Sequence, residues 1–287
     1  MVGAVVVRDG FIIGEGWHHH PGRPHAEVNA LRNAGLWETI SEQQDSVSDT
    51  TLYVNLEPCC HYGKTPPCTD LIIKTGIRRV VVGAADPSDK VNGGGIQKLR
   101  DAGIEVIVGV LEDDCRRLNK VFYCNHEKHR PFITLKWAET SEGIIGIRGE
   151  RLHISPPFTQ MICHRRRACH DAILVGRRTW ENDKPQLNVR LWAGKDPEKI
   201  VLSKETHPLP SLTLQKYTSI LVEGGRETLQ YFIDNDLWDE CYVECNSTSL
   251  NSLNSSYVYA PTLRNHVLVE KQHINNFSSI SKYEHIN

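Results

Sequence analysis

The feature that leaves this chain the least freedom is a set of three metal-ligating side chains spread over two proline-marked segments. His25 lies in Pro24-His25-Ala26-Glu27, Cys59 in Glu57-Pro58-Cys59-Cys60, and Cys68 in Pro66-Pro67-Cys68. One imidazole and two thiolates make three protein ligands, which leave the fourth tetrahedral position of Zn²⁺ open to water, as in a catalytic site; a structural site is closed by a fourth protein ligand. Zinc lowers the pKa of such a water toward about 7. Glu27, two residues from His25 and not itself a ligand, is then the group to take a proton and return it. Cys60 and His61 are the competing ligands; Cys59 is preferred because it directly follows Pro58. The plainer alternative is a structural zinc site or a chance cluster of core residues.

The pattern around these residues alternates strands with helices. Val2 to Val7 and Phe11 to Gly14 flank Arg8-Asp9-Gly10 and read as a hairpin. Pro24 to Leu36 carries Ala26, Ala30, Leu31 and Ala34 at helical spacing, which puts His25 and Glu27 in a first helical turn. A strand over 51–56, a helix over 68–75 stopped by Gly76, a strand over 79–83, a helix over 92–102 and a strand over 105–110 follow. This order predicts a layered α/β domain with a largely parallel central sheet. Residues 111–129 read as helix and linker, and Pro131 opens a second α/β unit. Its expected elements are strand 132–136, helix 157–169, strand 172–176, a Pro-broken loop 180–190, strands 199–202 and 219–222, and a helix opened by Gly224-Gly225 and running to Asp234. The Ser/Asn-rich stretch 246–256 reads as loop.

At 287 residues the chain suits two domains. The boundary is placed at 127/128. No apolar run approaches the roughly 20 residues that span a bilayer, and no secretory signal pattern is present, so no membrane and a cytoplasmic location are expected. Nine cysteines, an odd number, then argue for metal ligation and buried thiols over disulfides. Lys and Arg number 33 against 35 Asp and Glu, a net charge of −2 that predicts a small-molecule substrate and no nucleic acid. The basic run His164 to Arg167 reads as a solvated helix face, with Arg167 a possible exception.

His-x-Glu with Pro-Cys…Pro-Cys matches the zinc-deaminase signature, so the expected chemistry is hydrolytic deamination of an amino-heterocycle. The match is narrower still. Gly14-Glu15-Gly16-Trp17-His18, Pro24 to Leu31, and Leu56 to Cys68 with its Cys-Cys-His-Tyr-Gly-Lys-Thr-Pro-Pro-Cys run resemble the bifunctional riboflavin-biosynthesis deaminase/reductase family. The resemblance implies a cytidine-deaminase-like three-layer α/β/α domain over 1–127, with one Zn²⁺, and a shortened dihydrofolate-reductase-like α/β domain over 128–287 that uses NADPH. It implies deamination of 2,5-diamino-6-ribosylamino-4(3H)-pyrimidinone 5′-phosphate, then reduction of the ribosyl group to ribityl, by a homo-oligomer. Carried over position by position, His18, Lys64 and Asp86 contact the pyrimidine ribose-phosphate substrate in the deaminase. Ser155, Arg167, Leu187, Arg190 and Glu223 contact it in the reductase, and Thr179, Asp183 and Gly225 contact NADPH. The loop Asp183-Lys184-Pro185-Gln186-Leu187-Asn188-Val189-Arg190 and the turn Glu223-Gly224-Gly225 carry the second half of the match.

The sequence departs from that pattern in four places. It starts in the first strand, without the helix and Asn-Pro segment that the family puts ahead of it; uncovering that sheet face, at about 25 cal/mol per Å², predicts marginal stability for the deaminase half. Thr140-Ser141-Glu142-Gly143 stands where the family writes Ser-x-Asp-Gly, and His153 where it often has Trp. Only 18 residues separate Leu202 from Leu221, which predicts a missing strand in the second sheet. The competing expectation is therefore a deaminase whose second domain is a structural or dimerisation module that has lost its chemistry. A nucleic-acid-editing deaminase is disfavoured by the charge.

Overall fold

Asp9 and Gly10, with φ of 52° and 79°, make the primed turn that joins β1 (Gly3–Arg8) to β2 (Phe11–Trp17). The computed structural model describes residues 1–20, 22–37, 47, 49–63, 65–150, 152–203, 216–247 and 256–286. The chain divides into two units, Met1–Glu127 and Lys128–Asn287. In the first, β3 (Thr50–Leu56), β4 (Arg79–Ala84) and β5 (Glu105–Val108) complete, among the described residues, a five-stranded sheet of order β2-β1-β3-β4-β5. Pairing is parallel only from β3 to β5, because β1 runs antiparallel to both β2 and β3. The expected largely parallel sheet is thus a mixed one.

Among the described residues five helices cover it: α1 (Ala26–Asn33), α2 (Cys68–Thr75), α3 (Gly94–Asp101), α4 (Glu112–Leu118) and α5 (Lys120–Glu127). Leu31, Ile72 and Leu99 from α1 to α3 share one buried cluster with Leu52, Val54, Val80 and Val82 of the sheet. A Cβ at Gly83, on the other face of β4, would lie 2.3 Å from Cys115 Sγ in α4. Alternate residues of β4 therefore meet opposite helical layers, which makes three layers. The helix expected over 111–129 breaks in two at Asn119, whose side chain accepts a hydrogen bond from the Met1 ammonium. Gly14 and Gly16 let α1 lie against β2: a Cβ on either would sit 2.4 Å from the backbone of Ala30.

In the second unit β6 (Phe132–Thr140), β8 (Ala172–Gly176), β9 (Glu198–Leu202), β10 (Ser219–Val222), β11 (Glu240–Asn246), β13 (His266–Asn275) and β14 (Ser278–His285) form a sheet of order β13-β14-β11-β6-β10-β8-β9. It is parallel from β11 to β9 and antiparallel over β11, β14 and β13. β7 (Ile144–Ile147) and β12 (Tyr257–Tyr259) make a separate two-stranded pair. The helices are α6 (Pro157–Ala168), α7 (Arg177–Asp183) and α8 (Arg226–Asp234). Two expectations are corrected here. Of the Pro-broken loop expected over 180–190, residues 180–183 belong instead to the helix Arg177–Asp183, because Pro185 lies beyond its end. Strand β11 runs through Asn246, and the remainder of the expected loop, 248–255, lies outside the described residues.

Ile133, Leu135 and Trp137 of β6 pack with Leu229, Phe232 and Ile233 of α8 in the main core of this unit. Asp239 ties the entry of the unit to β11: its carboxylate accepts hydrogen bonds from Arg130 at 2.6 and 2.9 Å, from Lys128 Nζ at 3.0 Å and from the Ile133 N–H at 2.9 Å. Burial alone would raise the pKa of Asp239, but the Arg130 hydrogen bonds and charge hold it below the ordinary value.

Two outcomes follow for stability. Gly16→Ala forces β2 away from α1 and lowers the unfolding free energy by about 1–3 kcal/mol, read from denaturant titration. Because the folded-state pKa of Asp239 is depressed, its contribution is present above the unfolded value of about 4 and is lost as pH falls below it. Asp239→Asn therefore gives a shallower loss of second-unit stability between roughly pH 5 and 2, measured by circular dichroism melts.

Candidate active sites

Three elements deliver the metal ligands. His25 is the N-cap of α1, Cys59 lies in the loop that leaves β3, and Cys68 is the first residue of α2. His25 Nδ1 is 3.5 Å from Cys59 Sγ and 3.3 Å from Cys68 Sγ, and the three donor atoms lie within 4.8 Å of one another. The Cys68 N–H donates to Cys59 Sγ at 3.3 Å. Cys60 points elsewhere, toward the Lys90 carbonyl at 3.9 Å. Hydrogen bonding from the Cys68 thiol, then from His25, drives the Cys59 thiol down to about 4, while the same contact and burial push Cys68 up. Two sulfurs this close, one of them buried, repel one another as thiolates unless a cation lies between them. One imidazole, two sulfurs and a deficit of positive charge fit Zn²⁺ with a position left over.

Glu27 lies in the first turn of α1 and is 3 % exposed. Burial raises its pKa above the ordinary carboxylate range, which suits a group that must gain and lose a proton near neutrality. His25 and Cys59 open onto a cleft of about 220 Å³ lined also by His18, Gly22, His61, Gly63 and Thr65. The His18 ring stands edge-on to that of His25, with centroids 5.2 Å apart, and its Nδ1 approaches the Pro24 carbonyl at 3.2 Å. His61 Nδ1 is buried with no hydrogen-bond partner among the described residues. Lys64 lies outside the described residues. Asp86 is not in the cleft wall; it is 9 % exposed at the end of β4, and its Oδ1 accepts the Ser88 N–H at 2.8 Å.

In the second unit only some of the residues expected to bind substrate and NADPH are brought together. Arg167 and Glu223 form a two-pronged ion pair, Nε to Oε1 at 3.0 Å and Nη2 to Oε2 at 2.6 Å, and Arg167 Nη1 also donates to the Asn188 carbonyl at 3.1 Å. Burial would raise the pKa of Glu223, but Arg167 holds it below the ordinary value. Ser155 Oγ donates to Glu244 at 2.7 Å. Thr179 and Gly225 meet where α7 and α8 begin, the Gly225 N–H donating to Thr179 Oγ1 at 3.0 Å. Leu187 is buried in a small cluster with Ile173, Val175 and Leu221 and has φ of 48°, uncommon for a side chain of its size. Arg190 is exposed beside Asn188, and Asp183 is exposed at the end of α7.

The geometry adds residues that the sequence reading gave no role. Glu244 also accepts from Thr159 Oγ1 at 2.5 Å and lies 3.9 Å from Lys136 Nζ; Cys163 Sγ donates to Glu223 at 3.2 Å. Burial opposes the charge on Lys136, yet the acidic groups of Cys163, Glu223 and Glu244 raise its pKa. The alternation Glu240, Tyr242, Glu244 against Cys241, Val243, Cys245 was the available signal for β11 and its polar face.

Purified chain is expected to hold about one zinc per molecule by elemental analysis, as a three-ligand site implies, and Cys59→Ala or Cys68→Ala to lose it while Cys60→Ala keeps it. Because the thiols must shed protons to bind the metal, zinc content falls as pH is lowered.

Comparison with known proteins gives a family. Residues 1–84 match the cytidine and deoxycytidylate deaminase zinc-binding region, and residues 131–214 match the RibD C-terminal domain. The riboflavin biosynthesis protein RibD of Aquifex aeolicus is 46 % identical over 206 residues, 71 % of this chain and 55 % of the relative. That of Escherichia coli is 39 % identical over 198 residues, 69 % of this chain and 51 % of the relative. The chain thus spans about half the length of these curated relatives. The crystal structure of a Thermotoga maritima diaminohydroxyphosphoribosylaminopyrimidine deaminase/5-amino-6-(5-phosphoribosylamino)uracil reductase superposes with a TM-score of 0.80 at 32 % identity, covering 99 % of this chain and 91 % of that one. Among the described residues no helix is long and apolar enough to cross a membrane. With both domain models matched in order along one chain, and a bifunctional relative aligned over nearly its whole length, this protein belongs to the RibD family of riboflavin-biosynthesis proteins.

Proposed function

We propose that the chain deaminates 2,5-diamino-6-ribosylamino-4(3H)-pyrimidinone 5′-phosphate in its first unit and reduces the ribosyl group of the product to ribityl with NADPH in its second. The observation that carries the reading is the convergence of His25, Cys59 and Cys68 near the buried Glu27, with His25 and Cys59 lining a small cleft. Zinc held by those three residues supplies Lewis acidity toward the attacking water. Glu27 takes one proton from water as the C–O bond forms and delivers it to the ring nitrogen, then moves the proton of the new hydroxyl to the amine, which leaves as ammonia when the C–N bond breaks and the carbonyl forms. Burial raises the pKa of Glu27, the direction such a shuttle needs. His18 and His61 flank the heterocycle, and Lys64 and Asp86 take the phosphate and the substrate's donors. The cleft, at about 220 Å³, is smaller than the roughly 300–1,000 Å³ of sites for drug-sized ligands and suits one ring.

In the second unit NADPH supplies hydride. Glu223-Gly224-Gly225 precedes α8, whose N-terminal N–H groups suit a cofactor phosphate, with Thr179 and Asp183 beside the same ligand. Arg167 and Arg190 meet the substrate phosphate, Ser155 and Glu223 its hydroxyls, and Leu187 its apolar edge. A cytoplasmic homo-oligomer accompanies this reading. One observation favours the narrower alternative, a deaminase with a non-catalytic second unit: Ser155 and Arg167 already spend hydrogen bonds on Glu244 and Glu223.

A coupled assay separates the two. The zinc-loaded chain is expected to consume the diaminopyrimidine phosphate and then NADPH, and Glu27→Gln to lose about 10²-fold or more in deamination with zinc content unchanged. Deamination with no NADPH oxidation, and no shift of melting temperature by NADPH, selects the narrower alternative.

A further inference from the structure

Four backbone N–H groups of one loop end on a single carboxylate that has no part in the chemistry above. Glu57, 4 % exposed, stands where β3 ends and the metal loop begins. Its Oε2 accepts the N–H groups of Asp86 and Gly93, each at 3.1 Å, and its Oε1 those of Gly95 and Ile96 at 2.9 and 3.1 Å. All four donors belong to the stretch from the end of β4 into α3. Gly95 and Ile96 are in the first turn of α3, whose N-cap is Gly93, with φ of 84° and no side chain to offer. A carboxylate distant in sequence therefore caps this helix, with its charge at the favourable end of the helix dipole. Contact is equally close on the other side: a Cβ at Gly95 would lie 2.0 Å from the Pro58 carbonyl oxygen, one residue before Cys59.

Resting on the deaminase reading, we propose that Glu57 is a positioning residue of the first site, fixing the backbone of Asp86 relative to Cys59 so that substrate meets both at once. Glutamine at this position keeps the shape but offers one oxygen, and turns an NH₂ group toward two N–H donors, leaving them unpaired. None of the four donors belongs to a metal ligand, whereas one is the N–H of Asp86 itself.

The test uses the zinc-loaded full chain and Glu57→Gln. Expected is a rise of about tenfold in KM for the diaminopyrimidine phosphate, with zinc content unchanged and kcat within about threefold. Hydrogen exchange of the Asp86, Gly93, Gly95 and Ile96 amides is slow in the wild-type chain and fast in the variant. An unchanged KM, or activity lost in step with zinc, overturns the proposal, since the carboxylate then serves only the metal loop or nothing. Where Glu57→Gln does not fold, the wild-type measurement decides: fast exchange at these four amides overturns the proposal and slow exchange supports it. Gly95→Ala then repeats the kinetic test, because it drives α3 off Pro58 while keeping the carboxylate, and the same rise in KM is expected. A wild-type chain that holds zinc but turns over no substrate overturns the deaminase reading itself, whereas turnover with a wild-type KM in the variant overturns only the role of Glu57.

Discussion

Two helices of the first unit begin within a few ångströms of each other, and the metal cluster exists because they do. Neither α1, capped by His25, nor α2, capped by Pro67, has a side-chain hydrogen bond at its N-terminus. Their positive dipole ends therefore favour anions, and at the start of α2 the Cys68 N–H donates to Cys59 Sγ while the Thr69 N–H donates to the Cys59 carbonyl. The approach needs α1 pressed flat on β2, which Gly14, Gly16 and the fully buried Ala26 and Ala30 allow. It also needs Cys59 and Asp86 to leave neighbouring parallel strands, β3 and β4, at their C-terminal ends, the position where open α/β sheets place ligands.

The second unit divides its sheet differently. One face, against α8, is apolar, with Leu229, Phe232 and Trp238 almost wholly buried. The other carries Lys136, Glu223 and Glu244, with Arg167, Cys163, Thr159 and Ser155 brought over them. Buried charges cost more in lost hydration than their pairing returns unless geometry is excellent, so such a group is weak evidence for stability. Its concentration at the centre of the sheet, among residues assigned to substrate, is instead what a polar binding site requires.

How much of this could be read in the sequence depended on how far apart the partners lie along it. The metal set was legible because each ligand directly follows a proline, His25 and Cys68 at helix starts and Cys59 in the loop after β3, and Glu27 comes with His25. The hairpin at Asp9-Gly10 and strand 172–176 were legible from turn chemistry and from β-branched runs. The C-terminal strands were not: β13 is exposed along nearly its full length, so no face of it needed to be apolar and no alternation marked it. The Arg167–Glu223 pair rested on a resemblance, and Glu244 drew no attention, because a cluster assembled from β6, β10, β11 and α6 leaves no local spacing to find. The roles of Glu57 were hidden for the same reason, since its four partners are backbone groups.

The two sites also use burial in opposite ways. Glu27 is buried with no Lys or Arg paired to it among the described residues, and desolvation raises its pKa, as the proton transfer proposed for it requires. Glu223 is half-buried, and two hydrogen bonds from Arg167 more than offset its desolvation and keep it ionised. A carboxylate held charged and fixed in direction serves to orient polar groups, and one left uncompensated serves to move protons. The difference follows from one neighbour: α6 ends in arginines that reach the sheet, whereas the first turn of α1 has no cation of its own and depends on the metal that His25, Cys59 and Cys68 are arranged to hold.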